Sequence, residues 1–118
     1  MAEEETRIRS LYSNEWEIAM QLAWDTFLRF EAPDYTMEGV ENFRDFIKDP
    51  TLKKMFIKGD YQAFAAFQGK NMVGMLGVRN KSHISLLFVD ADYHKQGVAT
   101  KLLEHFFFSI IEFYSYYS

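Results

Sequence analysis

The chain has 118 residues, enough for one domain with a real core, and its 48% hydrophobic and 18% aromatic content excludes a disordered polymer. A net charge of −4 argues against sequence-independent binding to DNA or RNA, and the absence of cysteine excludes thiol nucleophiles, disulfides and thiolate metal sites. The acidic start M-A-E-E-E-T-R and the lack of an apolar run of about 18 residues point to a soluble, cytoplasmic protein without a signal peptide or membrane span.

Arg7 to Tyr12 reads as a first, edge strand. Asn14 is the expected N-cap of a helix, with Glu17 three residues on to complete a capping box. Trp16, Ala19, Met20, Ala23, Phe27 and Phe30 then recur at three- and four-residue steps, the stripe of an amphipathic helix that Pro33 ends. Thr36 caps a second helix with Val40, Phe43, Phe46 and Ile47 on its buried face, and Asp49-Pro50 breaks it. T-L-K-K-M-F-I-K-G-D reads as a short helical turn running into a loop.

From Tyr61 the period changes. Y-Q-A-F-A-A-F-Q, M-V-G-M-L-G-V and H-I-S-L-L-F-V are three strands joined by G-K-N and R-N-K-S, which makes an antiparallel meander. Gly74 and Gly77 predict a bulge or a close approach. Val98, Leu102, Phe106 and Ile110 recur every four residues in a final helix. The order strand, helix, helix, three strands, helix predicts an α/β (α+β) fold in a single domain over residues 1–118, with helices covering a mostly antiparallel sheet.

The chemistry concentrates where the last strand hands over to the last helix, L-F-V-D-A-D-Y-H-K-Q-G-V-A-T-K-L-L. The first N–H groups of a helix lack intrahelical partners and carry partial positive charge, so they suit a pyrophosphate. Gly97 and Ala99 keep the backbone bare there; Thr100 adds a hydroxyl, and Lys95 and Lys101 add charge. A nucleotide-binding phosphate loop of the Gly-Lys-Ser/Thr kind is absent. His83 and His105 pair with nothing as metal ligands, so no metal is expected.

This segment resembles the acetyl-CoA-binding signature of GNAT-type N-acetyltransferases, Gln/Arg-x-x-Gly-x-Gly/Ala, which falls here on His94-Lys95-Gln96-Gly97-Val98-Ala99. The order of elements matches the same family over nearly the whole chain. The resemblance implies a GNAT-like fold and transfer of an acetyl group from acetyl-CoA to a primary amine by direct attack. It implies a CoA site formed by Leu87, Phe88, Val89, His94, Lys95, Gln96, Gly97, Val98, Ala99 and Thr100. The end of the preceding strand would pair with the pantetheine arm, and the N–H of Phe88 or Val89 would polarise the thioester carbonyl. Glu31 falls where the family's first two helices border the acceptor pocket and is the candidate general base, with Asp34 and Tyr35 as neighbours. Trp24, Phe27, Phe30 and Tyr35 line either that pocket or the core.

Two departures stand out. His94 occupies a position the signature gives to Gln or Arg, and a histidine also donates to phosphate. Family members continue past this helix into further strands, so the expectation is a C-terminally shortened domain. Its aromatic end, F-F-F-S-I-I-E-F-Y-S-Y-Y-S, would be covered by a homodimer partner or left prone to aggregation. The alternative to an enzyme is a non-catalytic GNAT-like fragment that binds CoA or dimerises. The resemblance implies that the acceptor is the amine of a small molecule or a peptide.

Overall fold

A computed structural model describes residues 5–117 of the chain, and the side chains of residues 5–110. Its elements are β1 (Thr6–Ser10), α1 (Trp16–Phe30), α2 (Met37–Lys48), α3 (Pro50–Lys58), β2 (Tyr61–Gln68), β3 (Asn71–Arg79), β4 (His83–Val89) and α4 (Val98–Tyr117). The strands form one antiparallel sheet in the order β1-β2-β3-β4, so the α+β class and the three-stranded meander are as expected. Segment 50–58 is a full helix rather than a turn. Asp49 explains it: its side chain accepts from the Thr51 N–H at 2.9 Å, so Asp49-Pro50 ends α2 and also starts α3.

The start of α1 differs from expectation. Asn14 lies inside a 3₁₀ turn, Ser13–Glu15, and is not the cap. Glu15 is drawn back instead, accepting from the Tyr12 N–H at 2.8 Å and from both terminal nitrogens of Arg9 at 2.9 and 2.7 Å. Arg9 in turn lies over the rings of Tyr12 and Phe67. The Arg9 hydrogen bonds hold the Glu15 carboxyl below its ordinary pKa. Glu17, freed from capping, pairs with Lys53 of α3 at 2.5 Å. The Thr36 cap of α2 forms as expected, accepting from the Gly39 N–H.

Helices cover both faces of the sheet. Trp16, Ala19, Met20, Ala23 and Phe27 of α1, Ile47 of α2 and Leu52 of α3 pack on Ala63, Ala65, Phe67, Met75 and Phe88. On the other face Val98, Leu102 and Phe106 of α4 pack on Phe64, Ala66, Val73, Leu76 and Val78. The alternation within β2, odd residues to one side and even to the other, follows from the two-residue period of a strand. Phe107 and Phe108 are exposed on α4, while the side chains of Tyr114, Tyr116 and Tyr117, invoked for a dimer contact, lie outside the described residues.

Two bulges interrupt the register. Ala66 pairs with Gly74 and Phe67 with Met72, so Val73 is an extra residue and both Val73 and Gly74 face α4. Leu86 pairs with Gly77 and Ile84 with Val78, which makes Ser85 the extra residue. The Ser85 hydroxyl meets the Tyr61 hydroxyl at 2.7 Å in a partly buried position. Burial pushes the Tyr61 phenol above its ordinary pKa.

Candidate functional site

A cleft of about 550 Å³ opens between the end of α1, the outer edge of β4 and the start of α4. Its walls are Thr26, Phe30 and Glu31 from the α1 side, Leu87, Phe88 and Val89 from β4, Tyr93, His94 and Lys95 from the connecting loop, and Gly97, Val98, Ala99 and Thr100 at the start of α4.

The main-chain groups on that edge can be assigned from the ladder. In an antiparallel pair, alternate residues turn their N–H and C=O to the same neighbour. The Leu11 N–H donates to the Ala63 carbonyl, so Ala63 and Ala65 face β1, while Phe64 and Ala66 face β3. Leu76, the partner of Phe64, therefore faces β2, and Met75 faces β4 and its partner Phe88. The Asp90 N–H, which donates to the Val73 carbonyl at 2.8 Å, agrees. Phe88 thus turns its N–H into the sheet, whereas Leu87 and Val89 turn theirs to the open edge. Of the two donors expected from sequence, the geometry leaves Val89 facing the cleft and corrects Phe88. The Phe88 side chain is also turned away, into the core against Phe43 of α2.

The loop after β4 is held by local bonds. The Asp90 side chain accepts from the Asp92 N–H at 2.9 Å and starts a 3₁₀ turn, Ala91–Tyr93. Lys95 and Gly97 both have positive φ, +66° and +76°. That conformation costs an L-residue about 1 kcal/mol or more but suits glycine. The Lys101 N–H donates to the Gly97 carbonyl, so Gly97 is the first half-turn residue of α4. The N–H groups of Gly97, Val98, Ala99 and Thr100 then precede the first intrahelical donor and sit at the cleft wall. Nothing lies within 4 Å of the place a Gly97 Cβ would occupy, so it is the positive φ rather than crowding that calls for glycine there.

Two predicted residues are engaged elsewhere. The Gln96 side chain points away, within 3.3 Å of Gln68 and 3.4 Å of the Asp92 carbonyl. His94 lines the cleft, but its Nε2 is 2.7 Å from the Val89 carbonyl and its ring packs at a tilt on Phe30, with ring centres 4.7 Å apart. Of the early aromatics, Phe27 is buried and Trp24 packs against it in the core, Tyr35 meets Phe27 edge-on but is itself exposed, and Phe30 alone of the four lines the cleft. Glu31 does line it, at the C-terminal end of α1. Tyr93 and Thr26 were not anticipated. Tyr93 sits one residue before the signature, which was the available clue, whereas Thr26 enters only through helix–strand packing. Among the described residues no group of three or more His, Asp or Glu side chains could hold a metal ion.

A family model described as an acetyltransferase (GNAT) domain matches residues 31–110. Among solved structures, a GCN5-related N-acetyltransferase from Rhodopseudomonas palustris superposes with a TM-score of 0.72 at 20% identity, over 89% of this chain and 65% of that one. The PaiA N-acetyltransferase from Thermoplasma acidophilum, solved with coenzyme A, gives a TM-score of 0.69 at 17% identity, over 86% and 69%. A GCN5-related N-acetyltransferase from Ralstonia eutropha gives 0.68 at 14% identity, over 92% and 77%. At these identities the likeness is one of fold, and the chain spans about two thirds to three quarters of the solved chains. No curated protein matches the chain by sequence.

Proposed function

The chain belongs to the GNAT acetyltransferase family, and from that premise we propose that its cleft binds acetyl-CoA and transfers the acetyl group to a primary amine. The observation that carries this reading is the convergence of two sets of unpaired main-chain donors on one cleft: the edge of β4 and the start of α4. The N–H groups of Gly97 to Thr100 receive the pyrophosphate, with Lys95 supplying charge. Leu87 and Val89 offer outward N–H and C=O groups to the pantetheine arm, as an added strand would.

The Val89 N–H is the donor we assign to the thioester oxygen, where negative charge grows as the amine attacks. A new C–N bond forms, the C–S bond breaks, and the nitrogen loses one proton. Glu31 is the carboxylate in the cleft wall and is the acceptor we assign for that proton. The returning proton on sulfur comes from solvent, to which the cleft is open. The acceptor is a small-molecule or peptide amine.

Thermal-shift titration tests the reading. Acetyl-CoA at 100 times its Kd is expected to raise the melting temperature by roughly 10 °C. Gly97→Val is expected to abolish the rise, because its side chain would occupy the space between α4 and the phosphates. Equal stabilisation of the two proteins would overturn the phosphate assignment. The second reading is a CoA-binding module that dimerises without catalysing, and the exposed Phe107 and Phe108 favour it. Stabilisation by CoA without turnover on a broad amine panel, together with a dimer in analytical ultracentrifugation, would select it.

A further inference from the structure

The open edge of β4 is already occupied at one point. His94, five residues beyond Val89, folds back so that its Nε2 lies 2.7 Å from the Val89 carbonyl oxygen. A carbonyl only accepts, so Nε2 carries the proton and donates. Phe30 also contacts the ring, tilted at 39° with ring centres 4.7 Å apart. The Val89 carbonyl belongs to the outward pair of main-chain groups that an extended ligand would use. With its Nε2–H given to the Val89 carbonyl, a neutral ring has no second proton to donate to a phosphate, so in this position His94 is not a phosphate ligand.

We propose that His94 is a latch on the β4 edge: a positioning residue whose ring must leave Val89 and Phe30 before the arm of CoA can pair with the strand. This inference rests on the reading that the cleft binds CoA. The His94 backbone is anchored separately, its N–H reaching the Ala91 carbonyl at 3.4 Å, so the ring can swing while the loop stays in place. A latch of this kind discriminates between ligands. It opposes those with an extended amide-bearing arm and is indifferent to those that bind only the start of α4.

The test compares CoA with adenosine 3′-phosphate 5′-diphosphate, which keeps the pyrophosphate but lacks the arm, by calorimetric titration of the wild type and His94→Ala. Removing the latch is expected to tighten CoA about threefold to tenfold, the worth of one hydrogen bond, and to leave the nucleotide unchanged. Phe30→Ala, which removes the support, is expected to shift CoA in the same direction by less. In the free wild type, the imidazole 15N spectrum should show His94 protonated at Nε2, and CoA but not the nucleotide should move that signal. Equal weakening of both ligands in His94→Ala would show a phosphate donor and overturn the latch, as would unchanged affinity for CoA. A wild type that binds neither ligand would instead bring down the reading of the cleft, and the latch with it.

Discussion

The two ends of β4 use the same device for opposite purposes. At the His83 end, the bulge at Ser85 lies across from Gly77, and the Tyr61 hydroxyl fills the space between them. A Cβ on Gly77 would stand 1.9 Å from the Tyr61 hydroxyl oxygen, so the glycine exists to admit that group. At the Val89 end, the bulge at Val73 lies beside Gly74, and it admits a helix instead of a hydroxyl. A Cβ on Gly74 would stand 3.0 Å from Val98 and 3.2 Å from Leu102, both in the first turns of α4. The first bulge closes the sheet around a partly buried pair of hydroxyls. The second draws the start of α4 against the sheet, where its unpaired N–H groups stand beside the open strand edge. Packing and the proposed binding are thus separated along a strand of seven residues.

Gly77→Ala should show the larger cost. Tyr61 is 1% exposed and cannot swing clear, so we expect a loss of about 3 kcal/mol in urea denaturation, at the upper end for overpacking. The folded fraction should bind CoA as before. Adding Tyr61→Phe removes the clashing oxygen and should recover part of the loss; no recovery would mean that the strain lies elsewhere. Gly74→Ala should cost less, about 1–2 kcal/mol, because two of its three close neighbours are methyl groups at side-chain ends. It should nevertheless weaken CoA binding, since α4 must move outward. If both variants affected stability alone, the division between the two ends would not hold.

Much of this arrangement was legible in the sequence because its signals are local. Periods of two and of three to four residues marked the meander and the helices. The Gly97 signature, set between a strand and a helix, marked the cleft wall. Less legible were features that depend on pairing. Which of Phe88 and Val89 presents its N–H outward depends on register, carried from Leu11 across three ladders, and no run of residues states that. The capping box at Asn14 failed for a similar reason. Arg9, from the preceding strand, holds Glu15 where the chain enters the helix, and this tertiary contact overrides the local pattern. His94 was read as a phosphate donor because only its position in the signature was visible, whereas its bond to Val89 arises from the fold of the loop.

The packed end can also be read through pH. The folded chain holds the Tyr61 proton more tightly than the unfolded chain, because burial raises the phenol pKa. Below about pH 10 both states are protonated and the contribution is complete. Above it the unfolded chain ionises first, so stability should fall, by no more than about 1.4 kcal/mol for each pH unit. Tyr61→Phe should flatten this alkaline limb. An unchanged limb would indicate that another group senses the alkali.

The smallest expected effect gives a matched comparison, because a lysine with positive φ stands in the turn at each end of β4. Lys81 has φ +65° in the Asn80-Lys81 hairpin turn, and Lys95 has φ +66° in the loop before α4. Glycine removes a left-handed strain of about 1–2 kcal/mol but adds about 0.5–1 kcal/mol of backbone freedom to the unfolded chain. Lys→Gly at either position should therefore stabilise the protein by roughly 0.5–1 kcal/mol. The two substitutions part company over the ligand. Lys81→Gly should leave CoA affinity unchanged, whereas Lys95→Gly, removing a charge at the cleft wall, should weaken it roughly threefold, as expected for an exposed ion pair. Equal affinities in the two variants would mean that Lys95 contributes strain without attraction, and that the N–H groups from Gly97 to Thr100 hold the pyrophosphate unaided.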